Sequence, residues 1–306
     1  MSNERTTETR DGGQETTART MTPSVRDLLT DRFRVVLVVS TLALFAVISR
    51  TLVVILRNLP FDPLVTAEPI RMGTAVLFPV VAAGALVTLA LTDERTPVRV
   101  GLLFAGVFGL LGLLVPTTTL PAVVAISTGG AVALLGTLGI PDTWTYVTVR
   151  RRAIATGFVL AITISLASAV GIVAGLRGIG ALVGLASLAA VGTRAEASPV
   201  AGGIGIAVAA LLVVGSLTNP FIAGSALLVG FAITGVPHLV VAVAVAGGVA
   251  AAVAGIRRRN YPLALGALLV LFAGVPVTLP QAMAVLLGAV LVVLDWNTMP
   301  DSEVAL

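Results

Sequence analysis

The sequence predicts an all-α fold: a polytopic transmembrane helical bundle of about ten spans arranged as five helical hairpins. Three observations carry this prediction. Hydrophobic residues make up 57% of the chain and charged residues only 11%, whereas about 25% of a soluble globular chain is charged. Long segments such as residues 242–255 are apolar on every side, which is typical of membrane helices and unlike the alternating strands of a membrane barrel. Arginine clusters separate pairs of apolar segments, as expected when a chain returns to one side of a membrane after every second crossing.

These patterns divide the 306 residues into three regions. Residues 1–32 are polar and then amphipathic, which predicts a disordered to amphipathic cytoplasmic tail. Residues 33–295 form the predicted transmembrane helical domain, and residues 296–306 a short acidic tail. Arg34 and Arg50 bracket part of the first span, about 24 Å apart along a helix, so their side chains can reach opposite headgroup layers. We interpret both as interface anchors; the alternative for Arg50 is an intramembrane contact to an anion or substrate.

The arginine pattern also predicts the topology. Positive charge favours the cytoplasmic side, so both termini, the loops "DERTPVR" and "TRAEASP" and the two arginine triplets at 150–152 and 257–259 are placed inside, in a multi-pass protein of the cell membrane. The connections within each hairpin are placed outside. The apolar block of residues 200–256 leaves two alternatives. Two spans with an irregular or re-entrant segment near 219–237 keep the arginine triplet at 257–259 inside, and we favour this arrangement. Three short spans would give eleven spans in all and place the triplet outside.

A proline–threonine motif occurs twice, as "LVPTTTLPAVV" at Leu114–Val124 and as "GVPVTLPQAMA" at Gly274–Ala284. Pro276 follows Pro116 by 160 residues, and the similarity extends over a whole hairpin. We interpret both copies as tight turns between membrane helices. The first proline ends the incoming helix, the threonine bonds free N–H groups at the next helix start, and the second proline fits that helix's first turn. The alternative is a threonine-lined filter or gate.

Several chemistries are disfavoured by composition. The absence of cysteine excludes disulfides and thiolate sites, and the absence of lysine excludes a Schiff base. A single histidine cannot build a multi-histidine metal site, and every Asp and Glu falls in a tail or loop, so no span offers a carboxylate pair or proton relay. We expect no enzyme activity, no metal and no cofactor. The one conceivable serine–histidine pair, Ser225 with His238, is interpreted as a packing serine and an interfacial histidine.

Two functional classes remain. We favour a non-catalytic membrane subunit or scaffold; the alternative is a small-molecule permease or secondary transporter for an uncharged or hydrophobic solute. The expected partners are the lipid bilayer and a membrane protein partner or a second copy of the chain, and not nucleic acid. If a binding site exists, we place it at Asn219, Pro220, Pro237 and His238, where prolines free backbone carbonyls beside an amide and an imidazole. The alternative is that these residues form ordinary interfacial turns.

Overall fold

The computed structural model of the chain describes residues 25–57, 67–139, 146–173, 175–192, 198–218 and 236–294. These ranges contain ten α-helices and no strand. The helices are α1 (Val25–Arg57), α2 (Ala67–Thr92), α3 (Thr96–Leu114), α4 (Thr119–Gly136), α5 (Tyr146–Ala169), α6 (Arg177–Gly192), α7 (Pro199–Thr218), α8 (His238–Arg257), α9 (Tyr261–Ala273) and α10 (Leu279–Val293).

The helices fall into two length classes. Six of the described helices, α1 to α5 and α8, are long and apolar enough to cross a membrane. The other four, α6, α7, α9 and α10, contain shorter apolar segments. The prediction of an all-helical fold is confirmed among the described residues. Because an apolar crossing needs about 20 residues, the four shorter segments leave the count of about ten spans a prediction.

Arginine side chains hold one end of the bundle together. Each of three arginines donates a hydrogen bond of 2.7 Å to a backbone carbonyl at or just beyond the carboxyl end of a helix. The bonds run from Arg95 to Thr137, from Arg151 to Val293 and from Arg152 to Gly139. Carbonyls at helix carboxyl ends lack partners within the helix and carry partial negative charge. The carboxyl ends of α4 and α10 therefore meet the amino ends of α3 and α5 at this end, which we call the arginine end.

Helices α7 and α8 are antiparallel. Arg257, at the end of α8, donates a 3.2 Å hydrogen bond to the hydroxyl of Ser198, which directly precedes α7. Further along, Gly205 of α7 packs against the backbone of Ala246 in α8. The two ends of the 200–256 block therefore lie on the same side, as the two-span arrangement requires. Residues 219–235, which join these helices, lie outside the described residues.

Helix α10 occupies the centre of the bundle. Every residue from Ala282 to Leu294 is buried, and the helix packs against α2, α3, α4, α5 and α9. After Gln281 in its first turn its sequence is apolar throughout, so no face of that part is distinguished for water or for lipid. We call α9, α10 and the turn between them the central hairpin.

Close backbone contacts join the helices of both hairpins that carry the repeated motif. In the first, a β-carbon on Gly129 would lie 2.5 Å from the carbonyl oxygen of Gly101. In the central hairpin, a β-carbon on Gly266 would lie 2.6 Å from the carbonyl oxygen of Gly288. Small residues at such crossings let membrane helices approach closely. The two crossings are not equivalent, however, because Gly106, the counterpart of Gly266, packs against Ala83 of α2 instead.

Candidate functional site

The central hairpin contains a helix break inside the protein. Helix α9 ends at Ala273, and Gly274 then adopts φ 68° and ψ −147°, a conformation that favours glycine. Val275 and Pro276 follow and are both buried, before α10 begins at Leu279. Irregular backbone is normally found at a protein surface because its polar groups need partners. A buried break of this kind therefore needs an explanation.

The break lies near the end of the bundle that also holds the turn between α3 and α4. Leu279, the first residue of α10, packs beside Gly112, the seventeenth of the 19 residues of α3. Helices α9 and α10 are only 13 and 15 residues long, which corresponds to roughly 20 and 22 Å. The hairpin therefore enters from the arginine end and turns back close to the level of the turn between α3 and α4.

A small cavity lies against the break. Its volume is about 20 Å³, which is room for about one water molecule. The walls come from α5, α6, the Gly274–Pro276 segment and Val285 of α10, and include Phe158 and Leu185. All the lining side chains are apolar, and none carries an ionisable group.

Polar groups lie beside this apolar cavity. Pro276 has no N–H, so the carbonyl of Phe272 loses its donor four residues along the chain. The N–H of Val277 bonds the carbonyl of Val275 at 2.8 Å and does not continue the ladder of α9. In α5, the side chain of Ser165 is 0% exposed, and its hydroxyl finds no partner among the described residues. That hydroxyl touches the space next to Gly180, which lines the cavity.

The two copies of the proline–threonine motif differ in their surroundings. In the first copy, Val115, Thr117 and Leu120 are exposed, so this turn lies at the surface of the bundle. In the second copy, Val275 and Pro276 are buried against the cavity, and Thr278 is exposed. Pro121 and Pro280 both occupy the first turn of the following helix, as predicted.

The predicted capping role of the threonines is wrong. Thr118 has φ −95° and ψ 7° and makes no side-chain cap, because the 3₁₀ turn before α4 directs its hydroxyl backwards. It donates to the carbonyls of Leu111 and Val115 at 3.0 and 2.7 Å. The hydroxyl of Thr278 donates to the Gln281 side-chain oxygen at 2.8 Å, again without capping a backbone N–H.

The sequence-predicted site residues lie largely outside the described residues, so the site stays a prediction. Asn219 and Pro220 lie outside the described residues, as does Ser225. Pro237 is exposed and precedes the first turn of α8, and His238 is the first residue of that helix, although its side chain is not among those described.

Sequence reasoning predicted the turn at Pro276 but not the burial of Val275 and Pro276 against a cavity. The signal was the distance between turn markers, because segments of 13 and 15 residues are shorter than the roughly 20 residues that a crossing needs. Ser165 carried no such signal, since serine is common in membrane helices and only packing shows whether its hydroxyl has a partner.

The comparisons with known proteins give a family. No curated protein and no solved structure matches the chain. Residues 36–293 match the model of a family described as an integral membrane family of unknown function (DUF8068), and the match takes in helices α2 to α10 and most of α1. With six long apolar helices and a match over well more than half of its length, the chain belongs to this integral membrane family.

Proposed function

We propose that this protein is a permease for a small uncharged solute and that the central hairpin forms its binding site. The observation that carries the proposal is the helix break at Gly274–Pro276, which lies next to a cavity walled by α5, α6 and α10. Sequence composition alone favoured a non-catalytic subunit or scaffold. The buried break supports the permease instead, because irregular backbone beside a cavity can accept a solute and a scaffold has no need of one.

The physical argument rests on backbone hydrogen bonding. In a bilayer, non-helical backbone is tolerated at depth only when it is buried in protein or lines a cavity. Transporters use such broken helices to offer carbonyl groups to a substrate near the membrane midplane. Here the carbonyl of Phe272, two residues before the cavity-lining Gly274, has lost its ladder donor, and the hydroxyl of Ser165 lies beside Gly180, another lining residue.

The lining supports an uncharged solute. Ionisable side chains would be required to neutralise a charged one, and the cavity walls have none. Apolar walls such as Phe158 and Leu185 suit a hydrocarbon body, and the carbonyl oxygens suit a single hydrogen-bond donor. Binding and release of such a solute require no cofactor and no catalytic group, so we propose that the protein is not an enzyme.

The proposal also includes an orientation in the cell membrane. We place the arginine end in the cytoplasm together with the N-terminus, because arginine-rich ends favour that side. The bonds from Arg151 and Arg152 to helix ends support one shared end for these loops. With five hairpins in this orientation, α9 would begin and α10 would end at the cytoplasmic side. The turn between them would then point away from the cytoplasm.

The test asks whether the cavity communicates with water during a transport cycle. The chain has no cysteine, so single cysteines can be labelled without background. In membrane vesicles, the Leu185→Cys variant should react with a small impermeant methanethiosulfonate reagent, more slowly than Thr117→Cys. Ile126→Cys is the matched control, because Ile126 is also fully buried but lies in α4, away from the cavity. If the variants at Leu185 and Ile126 are equally unreactive, the subunit or scaffold interpretation is favoured.

A further inference from the structure

Arg50 lies inside the first candidate span without a carboxylate partner among the described side chains. The residue is half-buried and lies seven positions before Arg57, the last residue of α1. Its guanidinium carbon lies 5.3 Å from the ring centroid of Phe78 in α2. Phe78 is only 2% exposed, so the ring is a fixed support for the guanidinium group.

The acidic side chains that the structure describes are far from Arg50. Asp93 and Glu94 follow α2 at the arginine end, whereas Phe78 lies fourteen residues, about 21 Å of helix, before Thr92. An arginine side chain does not bridge that distance.

The contact with Phe78 leaves the hydrogen-bonding capacity of Arg50 unused. A ring attracts the cation through its π-electrons but offers no oxygen to the five N–H donors, which lie in the plane of the guanidinium group. No hydrogen bond joins these donors to an acceptor among the described residues. A planar fork of free donors fits a phosphate group, which it binds through two parallel hydrogen bonds.

We infer that Arg50 and Phe78 form a phosphate-binding site, and that the phosphate belongs to a lipid headgroup. A charge inside an apolar span is costly unless it reaches a counter-charge or the interface. Arg50 and Arg34 lie sixteen residues, about 24 Å of helix, apart, so their side chains can extend to the opposite headgroup layers of a hydrocarbon core about 30 Å thick. The inference is independent of the proposed permease function, because it concerns α1 and α2 and not the central hairpin.

The experiment measures lipid binding directly. Delipidated protein in detergent is titrated with phosphatidylglycerol, and each bound lipid is counted by native mass spectrometry. We expect Arg50→Gln to weaken the first binding step by about tenfold, in the range of a charge-assisted hydrogen bond. The lipid affinity of Arg50→Lys should lie between those of the wild type and Arg50→Gln, because an ammonium group keeps the charge but lacks the planar fork. Arg177→Gln is the matched control: Arg177 is exposed at the start of α6 and should not affect the first step.

Further arms identify the source of the phosphate. Phosphatidylcholine, whose phosphate is neutralised by choline, should bind more weakly than phosphatidylglycerol. Displacement of the lipid by millimolar sodium phosphate would support the phosphate site but assign it to a soluble oxyanion. Equal lipid affinity in the wild type and Arg50→Gln would overturn the inference. If Arg50→Gln does not accumulate, Phe78→Leu keeps the charge and removes the ring, and unchanged affinity in that variant would also contradict the site.

Discussion

Arg151 shows how one side chain can fix the position of the buried helix α10. Its guanidinium donates a 2.7 Å bond to the carbonyl of Val293, at the carboxyl end of that helix. A bond from a charged donor contributes about 2 kcal/mol, and it also offsets the negative end of the helix dipole. We expect Arg151→Gln to lower the thermal unfolding midpoint in detergent by several degrees. Arg258→Gln is the control, because Arg258 is exposed at the same end; an equal decrease there would show that only total charge matters.

For Ser165 we predict the opposite effect, a gain in stability when the side chain is removed. A buried hydroxyl without a partner costs about 1–3 kcal/mol, and Ser165 has none among the described residues. Ser165→Ala should therefore raise the unfolding midpoint of the solute-free protein. Ser187→Ala is the matched control, because Ser187 is also buried in this helix pair but donates to the carbonyl of Val183 at 2.8 Å. A lower midpoint for Ser165→Ala would show that the hydroxyl has a partner in the folded protein.

Individual residues were the least predictable level from the sequence. The prolines were placed correctly because proline acts on its own backbone, through its missing N–H and fixed φ. The threonines were not, because a hydroxyl can donate or accept, and the turn geometry decides which occurs. Thr118 donates to the end of α3, a choice that depends on the 3₁₀ turn and not on the motif.

At the level of elements, the two similar turns should differ in how well they tolerate an insertion. The turn after α3 is exposed at Thr117, whereas the turn after α9 is buried at Pro276. A Gly-Ser-Gly insertion after Thr117 adds chain at a surface, where insertions are tolerated. The same insertion after Pro276 must displace packed helices. We expect normal accumulation for the first variant and a large loss of folded protein for the second, measured by fluorescence-detected size-exclusion chromatography. Equal yields would contradict a buried turn.

The close helix crossing in the central hairpin gives a second prediction at this level. A β-carbon on Gly266 would lie 2.6 Å from a backbone oxygen in α10, and backbone cannot move aside as a flexible side chain can. Gly266→Ala should therefore reduce the yield of folded protein. Gly202→Ala is the control, because nothing lies within 4 Å of that position and alanine favours helix more than glycine does. A normal yield for Gly266→Ala would place the helices farther apart.

At the level of the whole molecule, the arrangement of the two ends can be tested by labelling. Thr117 lies in the turn between α3 and α4, at the end opposite the arginine end, whereas Glu94 and Arg258 are exposed at the arginine end. In intact cells, an impermeant thiol reagent should label Thr117→Cys and leave Glu94→Cys and Arg258→Cys protected. All three should react after the membrane is opened. Labelling of Arg258→Cys with protection of Glu94→Cys would contradict five hairpins.

The helical membrane class was predictable because composition and arginine spacing report it directly. The nesting of the helices was not. In a membrane protein, a lipid-facing surface and a protein-facing surface are both apolar, so the sequence of α10 gives no indication that it is central. Burial of every residue from Ala282 to Leu294 therefore appears only in three dimensions. The candidate site was missed for the same reason, since its walls are residues that any membrane helix would carry.

The central position of α10 has a consequence for how the protein is made. Ribosomes release a chain from its N-terminus, so the helices that surround α10 are synthesised before it. The helices α2 to α5 must therefore stay far enough apart in the membrane to admit a late hairpin, and they complete their packing only on its arrival. We expect nascent chains that stop before residue 261 to persist as open assemblies, recognised by membrane proteases, and the hairpin of residues 261–294 to be the step that commits the protein to its final form.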